Sequence, residues 1–261
     1  MEISLSWQAT EVADRAVLVT GAARGIGAAV ASEFAAAGDR VAVHYRRSRE
    51  AAEALADSLP GGPHIALGAD LVDALAVRSM VDEAAAGLDG LDVLINNAGI
   101  YVEHDLVSTR YEEWLQAWEQ TLAVDLVGAA NVTWCAVRHM LKRGSGRIVN
   151  VSSRGAYRGE PRAPAYGAAK AALIAFGNSL ARGLATHRIA VATVVPGWTE
   201  TDMAAETLDG PRGNEIRGES PFGRVATPLD VASAVLYLAS PEAEFASGTT
   251  VDVNGASYLH L

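Results

Sequence analysis

The chain has 261 residues, half of them hydrophobic, enough to build one sizeable α/β core without dividing into domains. A formal net charge of −10 at pH 7 argues against a nucleic acid or an anionic membrane surface as partner. The single cysteine, Cys135, excludes an internal disulfide and any cysteine-based metal cluster; with no apolar run of roughly 18 residues and no basic-then-apolar start, a cytoplasmic protein is expected.

Short β-rich runs alternate with alanine-rich helical stretches, the pattern of a parallel sheet wrapped by helices. Residues 16–20 read as a first strand, followed by a glycine-rich turn and a helix to about 37. Gly38 and Asp39 end that helix, and 40–45 form a second strand. A helix over 49–59 stops at Pro60-Gly61-Gly62-Pro63, a clear breaker. Then come a strand at 64–68, a helix over 74–87 and a strand at 91–95. One long helix is predicted over 111–142, with Cys135 as a small core residue on it. A strand at 146–151, a helix over 164–186 and a strand at 189–195 follow. Residues 199–220 are polar and irregular, too long for an ordinary connection, so 198–220 is a candidate substrate lid. A helix over 228–239 and a strand at 249–253 close the pattern. We therefore expect a single-domain α/β fold over 1–261: a doubly wound, Rossmann-type parallel sheet with helices on both faces, and 1–13 as an N-terminal extension.

Thr20-Gly21-Ala22-Ala23-Arg24-Gly25-Ile26-Gly27 joins the first strand to the first helix. Glycines there permit a tight turn and close approach of a pyrophosphate, and the helix start offers free N–H groups to an anion. NAD-binding folds usually carry an acid about 20 residues further on. Here the second strand runs out through His44-Tyr45-Arg46-Arg47-Ser48, with no acid between Asp39 and Glu50. Arg46, with Arg24 in the glycine turn, suits a 2′-phosphate instead, so the expected cofactor is NADP(H). Arg47 is expected at the surface.

Tyr166 and Lys170 stand four apart on a predicted helix and share a face, with Ser153 thirteen residues before the tyrosine. An ammonium beside a phenol favours phenolate and is expected to draw the Tyr pKa down from about 10. Such a phenol serves as a general acid or base, and Ser153 could hydrogen-bond the same substrate oxygen. Ser152 lies next door but does not fit the spacing.

In order, the glycine turn, Asn96-Asn97-Ala98-Gly99, Ser153, Tyr166/Lys170, Pro196-Gly197 with Thr201-Asp202-Met203, Pro221-Phe222-Gly223-Arg224 and Val251-Asp252-Val253-Asn254-Gly255 resemble the short-chain dehydrogenase/reductase family over roughly residues 14–256. The likeness is to its 3-oxoacyl-acyl-carrier-protein reductases. It implies an NADPH-dependent reduction of a ketone or acyl-thioester carbonyl, with Tyr166 as proton donor, Ser153 holding the oxygen and Lys170 bonding the nicotinamide ribose. The resemblance also assigns cofactor contacts to Gly21, Arg24, Gly25, Ile26, Gly27, Tyr45, Arg46, Asp70, Asn97, Ala98, Gly99, Pro196, Gly197 and Thr199. Relatives carry a fourth catalytic member, an Asn seven residues after a Trp. Counting from Trp118 gives Asp125, a departure whose charge beside Lys170 is expected to alter the pH optimum rather than abolish activity. Asn131 does not fit that count. Relatives commonly tetramerise, so a homotetramer or homodimer is expected, with apolar outer faces on the helices over 111–142 and 164–186.

His104, Arg154, Trp198 and Met203 are the substrate-side candidates, with Trp198 and Met203 as an apolar lid. Arg154, Arg158 and Arg162 could meet an anionic acyl-carrier group or form a solvated rim. No two of the six histidines have metal-ligand spacing, so no metal is expected. Two other readings share much of this evidence: an NADP-linked alcohol or sugar dehydrogenase working oxidatively, and a dinucleotide-binding regulator without turnover.

Overall fold

A computed structural model describes residues 14–260, so the predicted extension over 1–13 lies outside the described residues. Seven strands, β1 (Ala16–Val19), β2 (Arg40–Tyr45), β3 (Ile65–Gly68), β4 (Val93–Asn96), β5 (Gly146–Val151), β6 (Ile189–Pro196) and β7 (Thr250–Val253), form one sheet. Their order is β3-β2-β1-β4-β5-β6-β7, and every neighbouring pair is parallel. Leu18 in β1 registers with Ala42 on one side and Leu94 on the other. The winding direction therefore reverses between β1 and β4, where open α/β sheets leave a crevice at the carboxyl ends of the strands.

The helices are α1 (Gly25–Ala36), α2 (Arg49–Ser58), α3 (Ala74–Gly87), α4 (Tyr111–Leu122), α5 (Ala129–Arg143), α6 (Gly155–Arg158), α7 (Pro164–Leu184), α8 (Asp202–Asp209), α9 (Gly213–Gly218) and α10 (Pro228–Leu238). Strand side chains alternate between two cores. Val17, Val19, Val41, Val43, Val93 and Ile95 pack against Val30 and Phe34 of α1, Ala52 of α2 and Val231 and Val235 of α10. Leu18, Ala42, Leu94 and Ile148 pack against Val77 and Met80 of α3, Val132 and Ala136 of α5 and Ala181 of α7. Because both faces are covered, the strands read as unbroken apolar runs, and all eight residues of β6 are buried. Cys135 joins the second core, as expected.

Three local predictions need correction. The long helix over 111–142 is not uniform: a π-helical turn, Ala123–Gly128, separates α4 from α5. Residues 199–220 are not irregular but carry α8 and α9, two short helices whose apolar side chains form a small core of their own with Val225 and Trp198. The short helix α6 was not expected; Gly159, at φ +82°, ends it in a conformation that glycine adopts without strain. No described helix is long and apolar enough to cross a membrane.

Candidate active site

The glycine turn and the loop after β4 are built into one another at the crevice. The Thr20 hydroxyl accepts from the Asn97 and Ala98 N–H groups at 2.9 and 3.0 Å. Asn97 Nδ2 in turn donates to the Thr20 and Gly21 carbonyls. Gly21 has φ +63°, and a Cβ there would stand 2.9 Å from the Ala98 Cα; one on Gly27 would fall 2.4 Å from the Gly21 carbonyl oxygen. No side chain caps α1 and no acid lies in its first turn. The result is a bare backbone cradle with outward N–H groups and a partial positive charge, which fits the phosphates of a dinucleotide. His44 fixes its floor: Nδ1 accepts from the Gly21 N–H at 3.0 Å, and Nε2 donates to the Ala69 carbonyl at 3.1 Å. Burial lowers the His44 pKa, so the imidazole stays neutral in this tautomer. Sequence reasoning missed His44, since a lone histidine at a strand end carries no distinguishing pattern.

The predicted basic edge lies beside this cradle, already engaged with acids. Arg46 meets Asp70 at 3.0 Å, and Arg24 meets Asp202 of α8 at 3.8 Å. All four side chains are partly or largely exposed, so these pairs are weak and exchange readily with a stronger anion. Tyr45 is largely buried in the first core, with its ring against Gly68 and the Arg49 guanidinium 5.9 Å from its ring centre. Gly197 pairs with Val253 at the end of β6, and the Thr199 hydroxyl donates to the Gly197 carbonyl.

Across the crevice stand Ser153, Tyr166, Lys170 and Asp125. β5 delivers Ser153 at its carboxyl end, and α7, begun by Pro164, presents Tyr166 and Lys170 one turn apart. The Ser153 hydroxyl accepts from the Gly155 N–H at 3.1 Å and acts on the Tyr166 phenol to lower its pKa, and the Lys170 ammonium sits 5.5 Å from the Tyr166 ring centre. Lys170 Nζ also donates to the Val151 carbonyl at 3.3 Å, while the Ser152 hydroxyl is spent on the Lys170 carbonyl. The π-helical turn swings the Asp125 carboxylate inward, where Oδ1 accepts from the Ile100 N–H at 2.8 Å and Oδ2 faces Lys170 Nζ at 3.5 Å. Gly99 leaves room for this pair, for a Cβ there would stand 3.0 Å from both charged atoms.

The electrostatics differ from expectation. Burial pushes the Tyr166 phenol up; Lys170 opposes this, but Asp125 adds to it, and the net direction is upward. Burial also raises the Asp125 carboxyl against the pull of Lys170. Lys170 is disfavoured by burial yet held up by the Asp125 carboxylate and the neighbouring phenol. At neutral pH the site thus presents a phenol that keeps its proton.

Of the substrate-side candidates, His104 is displaced from its predicted role. It is 1% exposed, its Nδ1 donates to the Val102 carbonyl, its Nε2 accepts from the Ala165 N–H, and its ring packs edge-on to Trp114 and Trp118. Arg154 is buried too, paired with Glu219 at 2.6 Å, bonded to Ser257 and set over the Trp198 ring. Arg158 shares Glu219, and Arg162 pairs with Glu103. Arg154 is held in its buried pair, whereas Arg158 and Arg162 lie in partly exposed pairs of the same exchangeable kind. Trp198 packs inside the small α8–α9 core, whereas Met203 on α8 is 60% exposed. One residue not expected from sequence does face this region: Tyr101, whose ring stands edge-on to Tyr166 at 5.2 Å. Among the described residues no cluster of His, Cys, Asp or Glu is arranged to hold a metal.

The chain is similar to known proteins along most of its length. A family model described as enoyl-(acyl carrier protein) reductase matches residues 21–256. The 3-oxoacyl-(acyl-carrier-protein) reductase of Staphylococcus aureus strain Mu50 is 36% identical over 247 residues, 94% of this chain and 98% of that relative. Its Escherichia coli K12 counterpart is 36% identical over 242 residues, 93% and 96% of the two chains. A crystal structure of a dehydrogenase/reductase from Sinorhizobium meliloti 1021 superposes with a TM-score of 0.87 at 33% identity, over 95% of this chain and 96% of that one.

Proposed function

Because the chain belongs to the short-chain dehydrogenase/reductase family, nicotinamide-dependent oxidoreductases acting on C=O and CH–OH groups, we propose that it is an NADPH-dependent ketone reductase. The substrate is a 3-oxoacyl compound or a similar small carbonyl. One observation carries the reading: Tyr166, Ser153 and Lys170 converge at the crevice beside the bare glycine cradle, with the phenol holding its proton.

Gly21, Gly25, Ile26 and Gly27 would hold the phosphates, Arg24 and Arg46 the 2′-phosphate, Asp70 the adenine, and Asn97, Ala98 and Gly99 the ribose side. Pro196, Gly197 and Thr199 would border the nicotinamide, and Lys170 its ribose. When bound, the dinucleotide supplies the hydride that makes the carbonyl carbon a CH–OH carbon. Tyr166 gives its proton to the carbonyl oxygen, and Ser153 holds that oxygen in place. The Lys170 ammonium beside the phenol stabilises the phenolate left behind. Asp125 keeps Lys170 charged and holds it in register with the Ile100 backbone. The α8–α9 segment, tied to the Ser153 loop through Glu219, acts as the lid.

The raised Tyr166 pKa favours reduction near neutral pH over the oxidative alternative, which needs the phenolate. Assembly into a homo-oligomer through the outer face of α4, the π-helical turn and α5 accords with the exposure of Leu115, Val127 and Trp134 there; α7 offers no comparably exposed large apolar side chain among the described residues. The test is consumption of NADPH and NADH against β-keto esters, acyl thioesters, quinones and keto-sugars, with Tyr166→Phe as control. NADPH-preferring turnover that vanishes in the variant supports the proposal, and turnover that persists overturns it.

A further inference from the structure

Three backbone groups around the crevice converge on one residue, His44, at the end of β2. Its side chain is buried, with the residue 2% exposed. The His44 carbonyl accepts from the Ala22 N–H at 2.8 Å, and its Nδ1 accepts from the Gly21 N–H at 3.0 Å. Two successive N–H groups of the glycine turn are therefore held by a single residue. On the far side of the ring, Nε2 lies 3.1 Å from the Ala69 carbonyl. A carbonyl only accepts, so Ala69 draws the ring proton onto Nε2 and leaves Nδ1 as the acceptor that Gly21 needs.

The turn is gripped from its other side as well. The Gly21 carbonyl accepts from Asn97 Nδ2 at 3.2 Å, so both backbone polar groups of this residue are tied to side chains. The Thr20 N–H is spent on the Ile95 carbonyl. With the N–H groups of residues 20, 21 and 22 directed inward, those left for an anion belong to the first turn of α1, at Gly25, Ile26 and Gly27, where a helix leaves its donors without intrahelical partners. Their aim depends on the path of the turn before them. Gly21 at φ +63° gives that turn wide conformational freedom, and the bonds from His44 and Asn97 select one path.

Resting on the dinucleotide reading above, we propose that His44 is a positioning residue for the cofactor: by holding the Gly21 N–H, its Nδ1 preorganises the glycine turn for a pyrophosphate and so sets the affinity for NADP(H) and NAD(H) alike. The pyrophosphate is common to the two cofactors, whereas Arg46 two residues on is suited to the 2′-phosphate of one alone. Without the Nδ1 acceptor, the Gly21 N–H loses its partner and the turn relaxes to other paths. Binding must then reorder it, and affinity falls.

The test measures dissociation constants for NADP+ and NAD+ by calorimetry on three variants. His44→Asn keeps an acceptor atom at the position of Nδ1 and gives up the reach to Ala69. His44→Gln reaches toward Ala69 and gives up the acceptor at Nδ1, and His44→Leu keeps neither. The leucine and glutamine variants are expected to bind both dinucleotides about tenfold more weakly, the effect of leaving one partly buried donor unpaired. The asparagine variant is expected to stay within threefold of the parent. All three should melt at lower temperature, because each disturbs the packing of the buried ring; the order of affinities, unlike that loss, separates positioning from simple support. If the leucine variant does not fold by circular dichroism, the asparagine and glutamine variants carry the comparison. A folded asparagine variant that binds as weakly as the glutamine one, a leucine or glutamine variant within threefold of the parent, or a loss confined to NADP+ overturns the His44 assignment. Binding of either dinucleotide by the wild-type protein leaves the reductase reading standing in each of those cases. No binding of either by the wild-type protein overturns both.

Discussion

Asp125 Oδ2 faces Lys170 Nζ at 3.5 Å, with both side chains buried. Where the family resemblance leads one to expect a neutral amide, this protein places a carboxylate, and its charge raises both Lys170 and Tyr166. Asp125→Asn removes that charge, so the phenol loses its proton at lower pH. Reduction should then fade earlier on the alkaline side, and oxidation of the product alcohol should begin earlier. Superimposable pH–rate profiles for the two proteins would exclude the coupling.

Tyr166→Phe removes one hydroxyl and little packing. Reductase activity is expected to drop by about 10²–10⁴, the usual scale for a positioned proton donor. The melting temperature should stay near that of the parent. A loss below tenfold in a folded variant would take proton transfer away from Tyr166.

Arg46 has one acidic partner, Asp70, on a partly exposed edge. If it holds a 2′-phosphate, Arg46→Ala should weaken NADPH binding by about tenfold or more, the loss of a charge-assisted bond. NADH binding should change much less, since that cofactor lacks the phosphate. Dissociation constants from fluorescence titration decide this, and equal losses for the two cofactors would rule out the assignment.

His104 belongs to the packing around α7, not to the pocket. Replacing it with Ala leaves the Ala165 N–H without its acceptor and opens space between Trp114 and Trp118. A destabilisation of about 2–4 kcal/mol is expected, read as a lowered denaturation midpoint. Unchanged stability with a changed substrate preference would restore it to the pocket.

The sheet, its winding and the glycine cradle were legible because they rest on local rules: apolar strands, glycine where a turn demands it, and residue spacing on helices. Ser153, Tyr166, Lys170 and Asp125 were found by counting along the chain, and the fold brings them together. What stayed hidden depends on through-space pairing. Nothing in the sequence says that Arg154 is spent on Glu219, or that His104 turns inward to cap the Ala165 N–H. The sign of the Tyr166 shift was misjudged for the same reason. The lysine is visible as a neighbour four residues on, but burial and the Asp125 charge are properties of the folded site.

The π-helical turn Ala123–Gly128 also constrains the length of the chain. A π-turn accommodates one residue more than the regular helix on either side. Deleting any one of its six residues would let the segment close into an uninterrupted α-helix, rotating one side against the other by about 100°. Either Asp125 would swing away from Lys170, or Val132, Ala136 and Met140 would leave the core they fill. Homologous chains that share this chemistry should therefore vary in the composition of the turn while conserving its residue count, and a single-residue gap there would mark a protein whose fourth site residue no longer reaches the lysine.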